Sequence, residues 1–224
     1  MRTVAIVPAY NEAATIAAVV NGIRGSVARV VVVDDGSTDD TAGRARDAGA
    51  DVIRHETRSG KGTAVRTGLA LVLAADYTHV LLLDGDMQHL PCEATRLLAA
   101  AAETGADAVL GMRTFAREAM PPARYHANVI GSRALSWFVG IPLDDTQCGF
   151  RVFRREVLAN LPLRASGYDI ETEMLVKVRR RGGHIIGVPI TAVYAGERSK
   201  LRPVRDTTRT CFRAVYYRFI ERLT

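Results

Sequence analysis

The chain has few cysteines and no long apolar run. Cys92, Cys148 and Cys211 are its three cysteines, far apart in 224 residues. An odd, scattered set fits neither a zinc-ligand spacing nor a disulfide framework, and points to a reducing, cytoplasmic compartment. No apolar stretch approaches the roughly 18–20 residues that span a bilayer. Met1-Arg2-Thr3-Val4 leads straight into a strand pattern, without the charged and apolar regions of a secretory signal. No Gly-x-Gly-x-x-Gly follows the first strand and no Walker lysine motif occurs, so dinucleotide and P-loop readings find little support. There is no Ser-His-Asp or Cys-His set, no internal repeat and no low-complexity linker.

What is present is ordinary globular composition, 48% hydrophobic and 24% charged with mean hydropathy near zero, in a chain long enough for a substantial core. The charge is unevenly placed. Residues 196–224 carry eight basic and three acidic residues, nearly the whole of the net +6. An anionic partner such as a phosphate or a lipid surface suits that tail. A nucleic-acid partner is not expected, because the tail's arginines lack the aromatic stacking platform of single-strand binders.

Apolar runs at Val4–Val7, Arg29–Val33, Val52–Ile53, Val80–Leu83 and Ala108–Gly111 predict five buried strands, the first stopped by Pro8. Helices are predicted from Asn11 to about Ile23, after Thr38, from Lys61 to about Ala75 and from Pro91 to about Thr104. Strands alternating with such helices predict an α/β fold with a parallel, doubly wound sheet. Beyond Arg113 the pattern loosens: a loop over 114–123, a helix over 124–139, a strand at Gly149–Phe153, a helix at Ile170–Arg181 and a strand at Ile185–Ile190. The expected organisation is one compact domain over 1–202, with a ligand-binding half at 1–113 and a second half at 114–202, followed by a basic amphipathic helix at 203–224.

Asp84-Gly85-Asp86 follows Val80-Leu81-Leu82-Leu83, so a buried strand empties two carboxylates into a cleft. Alternation sends both acids the same way, and oxygen ligands at this spacing suit a hard divalent cation completed by substrate phosphates. A solvated acidic turn has the same pattern. Asp34-Asp35-Gly36-Ser37 ends a strand similarly; a carboxylate there can accept hydrogen bonds from a base or ribose, or Ser37 and Asp39 can cap a helix. Gly60-Lys61-Gly62 opens a helix, where a lysine suits a phosphate or simply a solvated turn. His89 reads as a wall of the site and Cys148 as core.

Taken together, Val4–Glu12 (VAIVPAYNE), Val31–Thr41 (VVVDDGSTDDT), Gly60–Gly68 (GKGTAVRTG), Leu83–Pro91 (LDGDMQHLP) and Asp145–Phe153 (DTQCGFRVF) resemble the family 2 glycosyltransferases, nearest to the dolichyl- or polyprenyl-phosphate mannosyl- and glucosyltransferases. The resemblance runs from residue 3 to about 206. It implies a Rossmann-like GT-A fold with a mostly parallel central sheet, a nucleotide-sugar donor of GDP-mannose or UDP-glucose type, and inversion at the anomeric carbon. It further implies that Pro8, Tyr10, Glu12 and Asp35 hold the nucleoside, with Lys61 and Gly85 on the donor. Asp84 and Asp86 hold donor and metal, and Gln88 is a further ligand to Mg2+ or Mn2+. Arg113 and Arg124 match arginines that meet the phosphate of a polyprenyl acceptor, and Ser199-Lys200 matches a pair near the donor diphosphate. Tyr194 stands where the mannosyl enzymes carry an arginine, with Arg198 nearby to compensate. Asp-Met-Gln-His looks mannosyl-like, while Gly-Lys-Gly and Thr-Gln-Cys-Gly-Phe look like the glucosyl branch, so the donor stays open.

A phosphate acceptor is already anionic near pH 7 and needs no strong base. An alcohol acceptor, on a glycolipid or a soluble molecule, would need one from Asp145, Asp169, Glu171 or Glu173. The two glutamates lie two apart on a helix, so at most one faces the cleft. The tail helix from Pro203 to Arg222 carries Phe212, Val215, Tyr216, Phe219, Ile220 and Leu223, flanked by Arg213, Arg218 and Arg222. Such a stripe suits peripheral contact with the inner face of the cell membrane, packing on the domain, or a dimer seam.

Overall fold

A computed structural model describes residues 1–113 and 148–191, together with residues 136, 140, 145, 213 and 216–220. Among the described residues, seven strands form one sheet: β1 (Thr3–Ala9), β2 (Arg29–Asp34), β3 (Asp51–Arg54), β4 (His79–Leu82), β5 (Ala108–Arg113), β6 (Arg151–Arg154) and β7 (Ile185–Ile190). Their spatial order is β3-β2-β1-β4-β6-β5-β7. All neighbours are parallel except β6, which runs antiparallel to both β4 and β5. The α-helices bounded within the described residues are α1 (Ile16–Ile23), α2 (Thr41–Asp47), α3 (Lys61–Leu73), α4 (Ala94–Thr104), α5 (Arg155–Ala159) and α6 (Ile170–Arg180).

The apolar runs predict strands because both sheet faces are covered. In β1, Val4 and Ile6 pack with residues of α3 and α6, while Ala5 and Val7 pack with residues of α1 and α4. Val31 and Val33 of β2 and Val80 and Leu82 of β4 join the first core; their neighbours Val30, Val32, Leu81 and Leu83 join the second. A strand buried on both faces reads as a continuous apolar run instead of an alternating one.

Pro8 does not stop β1, which continues to Ala9. Pairing with β4 ends at Ile6↔Leu82 while pairing with β2 continues through Pro8↔Val33, so the missing N–H removes no bond on the β4 side. The first helix begins at Ile16, after a turn in which Thr15 and Ile16 N–H donate to the Glu12 carbonyl. Pro91–Glu93 is a short 3-10 turn ahead of α4. The sheet is mostly parallel, as expected; β6 is its antiparallel member, although its Val152 and Phe153 carry the same apolar signature as a parallel strand. The predicted helix over 124–139 and the loop over 114–123 lie outside the described residues, apart from Ser136.

From β1 the chain winds outward through β2 to β3 on one side, and β4 lies on the other side of β1. The carboxyl ends of β1 and β4 therefore diverge in opposite crossover directions, which opens a crevice above them. Tyr10, Glu12 and Asp84 sit at that point.

Candidate active site

The acidic segment after β4 forms a turn, not a continued strand. β4 ends at Leu82, and Gly85 and Asp86 lie in a turn that Met87 continues in the left-handed conformation (φ 58°), so strand alternation does not set the directions of Asp84 and Asp86. The turn is clamped onto the β1–α1 connection: Thr15 Oγ1 donates to the Gly85 carbonyl at 2.7 Å. A Cβ on Gly85 would sit in close contact with Ile16, Ala9 and Glu12, so the turn packs tightly against the β1–α1 connection. Across the crevice, a Cβ on Gly149 would overlap the Asp84 carboxylate, which accounts for glycine next to Cys148.

The two acids have different electrostatic surroundings. Burial works against the charge of Asp84, but the Lys61 ammonium, 2.6 Å away, holds its carboxyl below the usual range. Burial and then the charge of Asp84 push Asp86 up to about 6. Its one hydrogen bond is from the Gln88 amide to Oδ1, at 3.1 Å. A half-buried carboxylate whose own charge is disfavoured gains most from a cation. No three His, Cys, Asp or Glu converge as a metal cluster among the described residues, but a site completed by diphosphate oxygens needs only one or two protein carboxylates. Asp86 fits that requirement.

Lys61 is neither solvated nor displayed on a free helix end. Its Nζ lies between Asp84 and Glu171 Oε1, the latter at 2.5 Å. Burial opposes its charge, yet the two carboxylates hold its pKa above the ordinary lysine value. The start of α3 is already capped, since Gly62 and Thr63 N–H both donate to the Ser166 carbonyl. Gly60 has φ 98°, and a Cβ there would strike that carbonyl. The N–H groups of Gly60, Gly62 and Thr63 are therefore spent within the fold, and Lys61 offers a phosphate its ammonium.

Arg151, missed by sequence reasoning, is fully buried beneath these groups. Its Nε donates to the Cys148 carbonyl and its Nη1 to the Glu171 carbonyl, so it ties the segment leading into β6, which bears Gly149, to the start of α6. A charged residue within the run Phe150-Arg151-Val152-Phe153 was the available signal. Pro8, Lys61, Asp84, Gly149, Arg151 and Glu171 bound a small common cavity.

At the end of β5, Arg113 meets Asp145 through a bidentate fork, Nε–Oδ2 2.6 Å and Nη2–Oδ1 3.0 Å. Asp145 is fully buried. His89 and Cys148 adjoin this pair, with Cys148 Sγ 3.6 Å from His89 Nε2. Burial lowers the imidazole to about 4 and pushes the thiol up to about 12, so both are neutral wall residues at pH 7.

Beside β2, Asp35 accepts from Ser59 and Gly60 N–H and faces His55 Nδ1 at 2.8 Å. His55 Nε2 in turn meets Thr67 Oγ1 at 3.0 Å. The Arg58 guanidinium stacks 4.2 Å from the centroid of the Tyr10 ring. His55 and Arg58 lie in a stretch without apolar periodicity and gave no sequence signal. Asp34, the other acid of the pair, receives the Ser37 N–H and faces Arg54 at 3.3 Å.

Sequence reasoning thus named residues that the fold gathers at two adjoining places. Asp84, Gly85, Asp86, Gln88, Lys61, Glu12 and Pro8 surround the crevice, and Tyr10 and Asp35 lie at its β2 side. Arg124 and Lys200 lie outside the described residues. No described helix is long and apolar enough to cross a membrane.

Comparison with known proteins agrees with this geometry. Residues 4–161 match the model of glycosyl transferase family 2. Glycosyltransferase AglJ of Haloferax volcanii is 39% identical over 208 residues, covering 90% of this chain and 67% of that protein. The undecaprenyl-phosphate mannosyltransferase of Micrococcus luteus is 32% identical over 206 residues, covering 86% and 84%. Glucosyl-3-phosphoglycerate synthase of Mycobacterium tuberculosis, solved with Mn2+ and UDP-glucose, superposes with a TM-score of 0.72 at 27% identity, covering 97% of this chain and 78% of that one. The sheet, the crevice and these likenesses agree: this chain is a glycosyltransferase of GT-A fold and belongs to glycosyl transferase family 2.

Proposed function

We propose that the enzyme moves a hexose, with inversion, from a nucleoside-diphosphate sugar to a polyprenyl phosphate. One observation carries the choice of acceptor. The four carboxylates named above as bases toward an alcohol are already engaged: Asp145 by Arg113, Glu171 by Lys61, Glu173 by Lys177 at 2.6 Å, and Asp169 by Tyr217 Oη at 3.2 Å and Arg213 at 3.5 Å. A carboxylate whose charge already serves a partner is a poor proton acceptor, whereas a phosphate acceptor arrives deprotonated and needs none. The likeness to an undecaprenyl-phosphate mannosyltransferase supports the same choice.

On this reading Tyr10, Glu12 and Asp35 hold the nucleoside, with Pro8 beneath. Asp84 and Gly85 contact the sugar diphosphate, with Lys61 keeping Asp84 ionised and oriented. Asp86 and Gln88 would hold Mg2+ or Mn2+, which when bound neutralises charge on the departing diphosphate. Lys200 adds a second positive charge there. Arg113, fixed by Asp145, presents its guanidinium to the acceptor phosphate, joined by Arg124. The half at 114–202 would then serve the acceptor.

The tail supplies the route to a lipid acceptor. Tyr217 is buried against α6, with its carbonyl accepting from Arg180, while Tyr216 and Phe219 face outward and Phe219 is 68% exposed. Exposed aromatics on an arginine-rich segment suit reversible attachment to an anionic membrane surface, at the cytoplasmic face.

The test is transfer from labelled UDP-glucose or GDP-mannose to a short-chain polyprenyl phosphate with Mg2+ or Mn2+. Label should enter an organic-extractable, acid-labile phosphodiester of inverted anomeric configuration, with release of nucleoside diphosphate. Label found only on an added hydroxyl acceptor would overturn the lipid-phosphate reading.

A further inference from the structure

We infer that Asp35, fixed by His55, makes the donor site select a uracil-type base over a guanine-type base. The inference rests on the reading above that Asp35 meets the donor nucleoside, and goes beyond it by choosing between the two donor classes.

The argument counts acceptor sites. An ionised carboxylate offers about four lone-pair positions, two on each oxygen. Three are occupied within the fold: His55 Nδ1 at 2.8 Å and Ser59 N–H at 2.9 Å are on Oδ1, and Gly60 N–H at 2.7 Å is on Oδ2. The network assigns the imidazole proton to Nδ1, because Nε2 then accepts from the Thr67 hydroxyl at 3.0 Å. Asp35 is 3% exposed, so water does not compete freely for what remains. One position is left, on Oδ2.

Uracil and guanine make different demands on it. Uracil presents a single imide N–H between two carbonyl oxygens, so one acceptor satisfies it and a second carboxylate oxygen beside it would repel a carbonyl. Guanine presents two parallel donors, the ring N1–H and the exocyclic amine, which suit a carboxylate with both oxygens open. Here Oδ1 is filled by His55 and Ser59, and the second guanine donor would be left without a partner in a buried place. The residue next to Ser59 is Arg58, whose guanidinium lies over Tyr10 and can donate to a uracil carbonyl. His55 is therefore a positioning residue for base choice, acting through Asp35.

Calorimetry of UDP and GDP with Mn2+, on the full chain, tests this. The wild type should bind UDP at least about tenfold more tightly than GDP, the order expected when one buried donor goes unpaired. His55→Ala returns a lone pair to Oδ1 and should narrow that ratio several-fold. His55→Asn keeps an N–H near the Nδ1 position and should restore it. Melting temperatures of both variants separate a selectivity change from misfolding, and a ratio is insensitive to a uniform loss of active protein. GDP binding as tight as UDP in the wild type, or a ratio unmoved by His55→Ala in a folded variant, overturns the inference. If neither nucleotide binds the wild type, the nucleotide-sugar reading itself fails with it. Selective UDP binding without any lipid product would sink only the acceptor.

Discussion

Replacing Lys61 by methionine, a side chain of similar length without charge, removes the cation between Asp84 and Glu171. Both carboxylates are mostly buried, 24% and 13% exposed, and neither can turn fully into water. Breaking a buried pair by deleting one partner costs about 3–5 kcal/mol. Partial exposure and the nearby Arg151, 3.8 Å from Glu171 Oε2, argue for the lower end, roughly 3 kcal/mol. For a chain of this size that corresponds to a fall in Tm of roughly 6–12 °C at neutral pH. The pH dependence identifies the cause. In the wild type the carboxyl of Asp84 lies below its unfolded value, so its pairing stabilises at neutral pH and is lost as pH falls through the folded value. Without Lys61 only burial remains as the larger influence, and the carboxyl rises above its unfolded value. The deficit of the variant is then complete at pH 7.5 and shrinks as acid neutralises Asp84. Thermal unfolding of both proteins at pH 7.5 and pH 5 measures the difference, and adding Glu171→Gln should recover part of it. An unchanged Tm at pH 7.5 would mean that the lysine is solvated. A deficit equal at both pH values would mean lost packing, not lost charge, and would refute the electrostatic account.

Three further outcomes are expected. With Asp86 at about 6, binding of Mn2+ and UDP at pH 6 should release about half a proton more from the wild type than from Asp86→Asn, and no more at pH 8, measured by calorimetry in buffers of different ionisation enthalpy; equal release at pH 6 would remove Asp86 from the metal. Asp145→Asn should loosen the Arg113 fork, raise the KM for acceptor phosphate with donor affinity kept, and cost about 2 kcal/mol in urea unfolding; a matching loss of UDP affinity would assign Arg113 to the donor. Phe219→Ser should keep Tm and reduce sedimentation with anionic vesicles at low salt, whereas Tyr217→Phe should lower stability by about 1 kcal/mol through the lost hydroxyl bond to Asp169 and leave vesicle binding in place.

The parts of this molecule that were legible in the sequence are those fixed by neighbours along the chain. The runs at 4–7, 30–33 and 80–83 announce strands because each residue of them is covered, and the acids that follow announce the crevice. The parts that were not legible depend on partners far away in sequence. Lys61 meets Glu171 across 110 residues, and nothing beside Gly60-Lys61-Gly62 distinguishes a buried ion pair from a solvated turn. The antiparallel course of β6 was equally hidden, since direction leaves no mark on an apolar run. Glu171 and Glu173 fall between these cases. Their spacing says that they diverge, and the lysine four residues after Glu173 says which one turns inward: Glu173 joins Lys177 and the N–H groups of Arg164 and Ala165, leaving Glu171 for the crevice. In the tail, the α-helical stripe placed Tyr216 and Phe219 together and ignored Tyr217. Residues 216–220 instead form a π-helical turn, which advances each side chain by less than the α-helical angle. Tyr217 is buried on α6 while Tyr216 and Phe219 face outward, so one short segment can anchor on the domain and still offer aromatics to a surface.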